Sequence, residues 1–180
     1  MRTADFFRLL LKYRSIEKLL EKHPDVSEDE ILSHFNRVLE TLTKNEEPPF
    51  ELYCDGASSG NPGNSGIGFV IKRNGKTLLT HEQYIGKTTN NVAEYTALLE
   101  GLKKLKELGA NRVRIFSDSE LLTKQLNGLY AVKSPHLKKL YNEAKKLLES
   151  FADFSVMHIP REQNREADRL ARSASQQKVK

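Results

Sequence analysis

The 180-residue sequence contains one cysteine, Cys54, and no tryptophan. A lone thiol excludes an internal disulfide and any cysteine-cluster zinc site, and it fits a reducing cytoplasm, where the protein is expected. No run approaches the roughly 20 consecutive apolar residues of a membrane helix, so a soluble protein with no membrane partner is expected. Residues 1–20 are basic and apolar, but charges interrupt them every few positions and no small-residue cleavage site follows. They do not read as a secretory signal. Internal repeats and low-complexity tracts are missing too.

What is present is charge, unevenly placed. Lys and Arg number 29 against 24 Asp and Glu, a net of +5. Residues 1–49 carry 8 basic and 10 acidic side chains; residues 50–180 carry 21 and 14. The balances of −2 and +7 put the whole positive excess on the second segment. A polyanionic partner is expected there.

Asn45-Glu46-Glu47-Pro48-Pro49 reads as a linker, since two prolines cannot continue a helix. Residues 1–44 before it read as two amphipathic helices, a helical hairpin. Phe6, Leu9, Leu10, Tyr13, Ile16, Leu19 and Leu20 recur at helical spacing in the first. His23-Pro24-Asp25 breaks the pattern, and Ser27 with Glu30 has capping-box spacing before the stripe Ile31, Leu32, Phe35, Val38, Leu39 and Leu42. Two helices this short cannot bury both faces alone. Residues 1–44 are therefore expected to dock or to self-associate into a homo-oligomer.

The second segment alternates strand and helix patterns. Strands are predicted over 51–55, 67–73, 77–85, 112–117 and 154–159, with Asn74-Gly75 as a hairpin signal. Residues 56–66 read as turn-rich. Helices are predicted over 91–108, 119–126, 135–151 and 164–175, and residues 176–180 as a tail. This order describes an α/β domain with a five-stranded mixed sheet and crossover helices.

Four acids stand where no acid is needed for folding. Asp55 ends a central-strand pattern and Asp118 ends the apolar strand Val113-Arg114-Ile115-Phe116. Glu94 and Asp168 lie in the first turns of helices, in line with their apolar stripes. Each alone has a bland reading as a cap or a dipole partner. Together they would converge on one sheet edge and repel one another unless cations sat between them. Hard oxygen donors without a His/Cys cluster select Mg²⁺ or Mn²⁺ over zinc.

These residues carry a resemblance. Residues 55–63, Asp-Gly-Ala-Ser-Ser-Gly-Asn-Pro-Gly, resemble the first motif of type 1 ribonuclease H. Thr88-Thr89-Asn90-Asn91-Val92-Ala93-Glu94 is similar to its second motif, Phe116-Ser117-Asp118-Ser119 to its third, and residues 160–171 to its fourth. Order and spacing agree across residues 50–175, and the N-terminal helices lie outside the match. The resemblance implies a ribonuclease H-like fold and endonucleolytic hydrolysis of the RNA strand of an RNA–DNA hybrid, leaving 5′-phosphate and 3′-hydroxyl ends. It implies two Mg²⁺ (or Mn²⁺) ions roughly 3.5–4 Å apart. Asp55 would bridge both, with Glu94, Asp118 and Asp168 completing the shell.

The resemblance also assigns Asn61, Asn90 and Asn91 to the hybrid's sugars and bases, and Thr89 to a DNA phosphate. Arg161, in the loop after the last strand, is expected to contact the scissile phosphate or help product release. His158 reads as a strand residue rather than as the mobile histidine of many family members. The extra basic, tryptophan-bearing helix of some members does not fit into residues 128–135. The rival reading is a non-catalytic hybrid or double-stranded RNA binding module of the same fold, against which the four retained acids argue.

Overall fold

The computed structural model describes residues 1–46 and 48–177. Glu47 of the expected linker and residues 178–180 of the expected tail lie outside the described residues. The chain divides into two compact units, Met1–Glu47 and Pro48–Lys180.

The first unit holds three helices, not two: α1 (Thr3–Tyr13), α2 (Ile16–Lys22) and α3 (Glu28–Glu46). The apolar period runs unbroken through Tyr13 and Ile16, but Arg14 is left-handed at φ 56° and stops α1. Ser15 restarts the chain, its hydroxyl accepting from the Lys18 N–H at 3.2 Å. Ser27 caps α3 by accepting from the Glu30 N–H at 3.2 Å. α3 continues to Glu46, so Asn45 and Glu46 are helical rather than linker. Phe6, Leu19, Val26 and Ile31 form a small core, with Phe6 stacked on the buried His34 ring at 4.7 Å.

The second unit is a five-stranded sheet in the order β3-β2-β1-β4-β5. Its strands are β1 (Phe50–Gly60), β2 (Gly63–Arg73), β3 (Lys76–Thr88), β4 (Arg112–Ser117) and β5 (Asp153–His158). β1 pairs antiparallel with β2 and parallel with β4; β2–β3 is antiparallel and β4–β5 parallel. The helices are α4 (Asn90–Glu107), α5 (Glu120–Leu126), α6 (Pro135–Leu148) and α7 (Arg165–Gln176). α4 lies on β1 and β2 with α6 beside it, and α7 lies on the same two strands. The core joins Leu52, Cys54, Ile67 and Phe69 of the sheet to Leu98, Leu102 and Leu105 of α4.

The turn expected over residues 56–66 is instead strand on both sides of Asn61-Pro62. Its glycines answer to packing. A Cβ on Gly56 would stand 2.2 Å from the backbone of Ala93 and Glu94 in α4. One on Gly66 or Gly68 would stand 2.4 Å from backbone atoms of α7. Both helices thus sit directly on strand backbone, which brings Glu94 and Asp168 close to the sheet.

Candidate functional site

The parallel pair β1–β4 gives the site its base. Tyr53 is level with Phe116, where the β1–β4 pairing ends, so Asp55, within β1 and not at its end as expected, lies level with Asp118 just past β4. Thr89 caps α4, its hydroxyl accepting from the Val92 N–H at 3.4 Å, which sets Glu94 in the helix's second turn above that edge. Asn164 precedes α7 and Asp168 lies in its first turn. Asp55, Glu94, Asp118 and Asp168 line one cleft, together with Asn90, Arg161 and Arg172.

The electrostatics are those of crowded anions. Burial, then the charges of Asp118, Asp168 and Glu94, push Asp55 up to about 7. Burial pushes Glu94 up to about 7 as well, against the opposing hydrogen bond of Ser119. The Glu94 carboxylate accepts from the Ser119 hydroxyl and, at 2.9 Å, from the Asn90 amide. Behind them the Cys54 thiol is fully buried and raised, first by burial and then by the same carboxylates. It is a packed side chain, not a nucleophile.

Asp168 is held differently. It accepts from Arg161 and, at 3.1 Å, from Arg172. Arg161 therefore faces the carboxylates, and Asp168 in turn raises the guanidinium's affinity for its proton. His158 ends β5, where its Nε2 stands 3.3 Å from the Asp118 carbonyl, as its strand reading requires.

The amides assigned to substrate fall into two groups. Asn90 lines the carboxylate cleft. Asn61, Thr89 and Asn91 line an adjacent cavity with Lys87, Ser134 and His136. The Asn61 side-chain oxygen accepts from the Asn90 N–H at 3.3 Å and ties the two together.

Sequence reasoning missed Asn164, Ser119 and Arg172. Asn164 is buried; its amide donates to the Cys54 carbonyl at 3.0 Å and to Asp118 at 2.6 Å, bridging β1 to β4's terminal acid. Its Oδ1 has no hydrogen-bond partner among the described residues. The available signal was an asparagine opening the last helix, which looks like any N-cap.

Among the described residues, no three His, Cys, Asp or Glu side chains form a ready-made metal-binding group. The donor set nonetheless fits a hard divalent cation, since all four are carboxylates. Two of them are forced toward the protonated form by burial and mutual repulsion that a cation would relieve. No described helix is long and apolar enough to cross a membrane.

Comparison with known proteins agrees with this fold. Residues 53–174 match the family model described as "Reverse transcriptase-like". The chain is 42% identical over 125 residues to a bifunctional protein of Mycobacterium tuberculosis, covering 68% of this chain and 34% of that one. It is 33% identical over 141 residues to the ribonuclease HI of Helicobacter pylori, covering 72% and 95%. Among solved structures, that of LC11-RNase H1 in complex with RNA/DNA hybrid superposes with a TM-score of 0.66 at 40% identity, covering 69% and 95%. The chain thus spans about a third of the mycobacterial relatives' length and nearly all of the Helicobacter enzyme's. With its five-stranded mixed sheet, the order of its motifs and these likenesses, the chain belongs to the ribonuclease HI family.

Proposed function

We propose that the protein is an endoribonuclease that hydrolyses the RNA strand of RNA–DNA hybrids and leaves 5′-phosphate and 3′-hydroxyl ends. The observation that carries this reading is the meeting of Asp55, Glu94, Asp118 and Asp168 in one cleft, with two of them at about neutral pKa. Support comes from the hybrid bound by LC11-RNase H1. The four carboxylates would hold Mg²⁺ or Mn²⁺, two ions on this reading. Bound there, the ions supply Lewis acidity that activates water and neutralises charge on the leaving 3′-oxygen.

The remaining roles belong to the chain. Asn164 orients Asp118, and Ser119 and Asn90 orient Glu94. Arg161 stands at the cleft and neutralises phosphate charge on leaving Asp168. Asn61, Asn90 and Asn91 read 2′-hydroxyls and base edges of the minor groove, and Thr89 with Lys87 receives a phosphate of the DNA strand.

A cleavage assay with end-labelled hybrid, duplex RNA and duplex DNA tests the reading, with Mg²⁺, Mn²⁺ or EDTA. The hybrid's RNA strand is cut with either metal and is spared in EDTA, and Asp118→Asn loses at least a hundredfold in rate. A hybrid left whole under every metal condition, yet bound, favours the binding-module reading instead.

A further inference from the structure

Helix α3 presents two different apolar faces. Ile31 and His34 are buried in the first unit's core. Leu32, Phe35, Leu39 and Leu42 are exposed to 59%, 40%, 58% and 56%. Their spacing of three, four and three residues is the a/d seam of a coiled coil, the pattern that packs against another helix. The seam continues sideways: Phe35 meets Phe7 edge-on at 5.2 Å, and Phe7 lines an apolar cavity with Leu10, Leu11 and Ile16. Contiguous apolar surface of this kind marks an interface.

What covers the seam is narrowed by the rest of the chain. Of the twelve large hydrophobics that are exposed among the described residues, seven lie in the first 42 residues. The other five, Leu78, Leu108, Leu129, Tyr130 and Met157, are dispersed over β3, the end of α4, a loop and β5, and none forms a helical stripe. The second unit's described residues thus offer no matching seam. The face complementary to α3 is α3 itself, because the stripe is self-matching about its midpoint at Arg37. Charge sets the direction. Glu28, Asp29 and Glu30 crowd the first turn. A parallel pair would bring two such triplets together, whereas an antiparallel pair separates them and opposes the helix dipoles favourably.

We propose that two copies of this chain associate through an antiparallel pairing of α3, with Leu32 against Leu42 of the second copy and Phe35 against Leu39 of the second copy. The proposal is independent of the chemistry assigned to the carboxylate cleft. Its consequence is a particle with two catalytic units, able to hold one long hybrid at two points. The described residues hold no extra basic helix and the sequence no tryptophan to strengthen a single grip, and a tethered second contact raises retention without any new contact at the first.

Light scattering and sedimentation of the full chain at micromolar concentration should give twice the 20.5 kDa of one chain. Leu39→Glu, and separately Leu42→Lys at the end of the seam, should halve that mass while circular dichroism keeps its helical signal. Cleavage of a short hybrid should be unchanged, while retention on a hybrid long enough for two units falls about tenfold or more. Direction is read by mild oxidation, with Cys54 buried and out of reach. The Leu32→Cys/Leu42→Cys double variant should cross-link and Leu32→Cys alone should not. A monomeric full chain overturns the proposal and assigns the seam to some other surface. So does a dimer that survives both charged variants; cross-linking by Leu32→Cys alone overturns the antiparallel arrangement.

Discussion

Asp55 and Glu94 titrate near neutrality because folding takes them from water and sets them beside other acids. The sign of the stability effect follows. Asp55's carboxyl is raised from an ordinary value near 3.8, so the metal-free fold is most stable when it is protonated. Its contribution is lost progressively as pH rises from about 4 through about 7. In EDTA, the second unit's unfolding temperature should fall between pH 5.5 and pH 8, and Asp55→Asn should remove part of that fall. The variant should therefore melt a few degrees above the parent at pH 8, at about 2–4 °C per kcal/mol for a chain of this size. Added Mg²⁺ should raise the parent's melting temperature and barely move the variant's. Calorimetry at the two pH values decides it, and a variant less stable than the parent at pH 8 refutes the electrostatic account. At this scale the sequence was easy to read for the carboxylates, because an acid on an apolar stripe contradicts its surroundings. Asn164 was not legible. An asparagine before a helix satisfies local expectations, and only the pairing of β1 with β4 reveals that its amide spans both strands.

Among elements, the glycines show how a local reading goes astray. Gly56, Gly60, Gly63 and Gly66 look like a turn when counted along the chain, yet Gly56 and Gly66 are strand residues whose missing side chains admit α4 and α7. Periodicity reports which face is apolar, not how near another backbone comes. Likewise α1 and α2 share one apolar period, and the left-handed Arg14 between them leaves no trace in it. Most other elements were readable, since the spans expected for β4, α4 and α5 lie within a residue of the observed ones. Gly56→Ala should force α4 off β1, where Glu94 is anchored. We expect a cost of about 3 kcal/mol, the upper end for overpacking because both obstacles are backbone, and a clear loss of cleavage. Gly75→Ala, in open space at the β2–β3 turn with φ 71°, should cost about 1–2 kcal/mol and leave cleavage intact. Urea unfolding and hybrid cleavage of both variants make the comparison; equal losses of activity would mean that the close approach does not position the site.

For the whole molecule, the charge balance of −2 on residues 1–49 and +7 on residues 50–180 would confine attraction for the proposed polyanionic substrate to the second unit. Its KM for hybrid should rise steeply with salt between 50 and 200 mM, about tenfold for every two phosphates neutralised, while kcat changes little. Steady-state kinetics across that range is the test, and a flat KM would separate binding from charge. The order of the strands carries another consequence, for synthesis. Asp55, Glu94 and Asp118 sit on β1, α4 and after β4, but Asp168 waits on α7. A ribosome adding about 5–20 residues per second exposes the fourth acid only about 3–10 s after the third. On the proposed function, the nascent chain holds three of the four acids through that interval and should not cut. Cleavage of a hybrid becomes possible, on that function, only after nearly the whole second unit has been made.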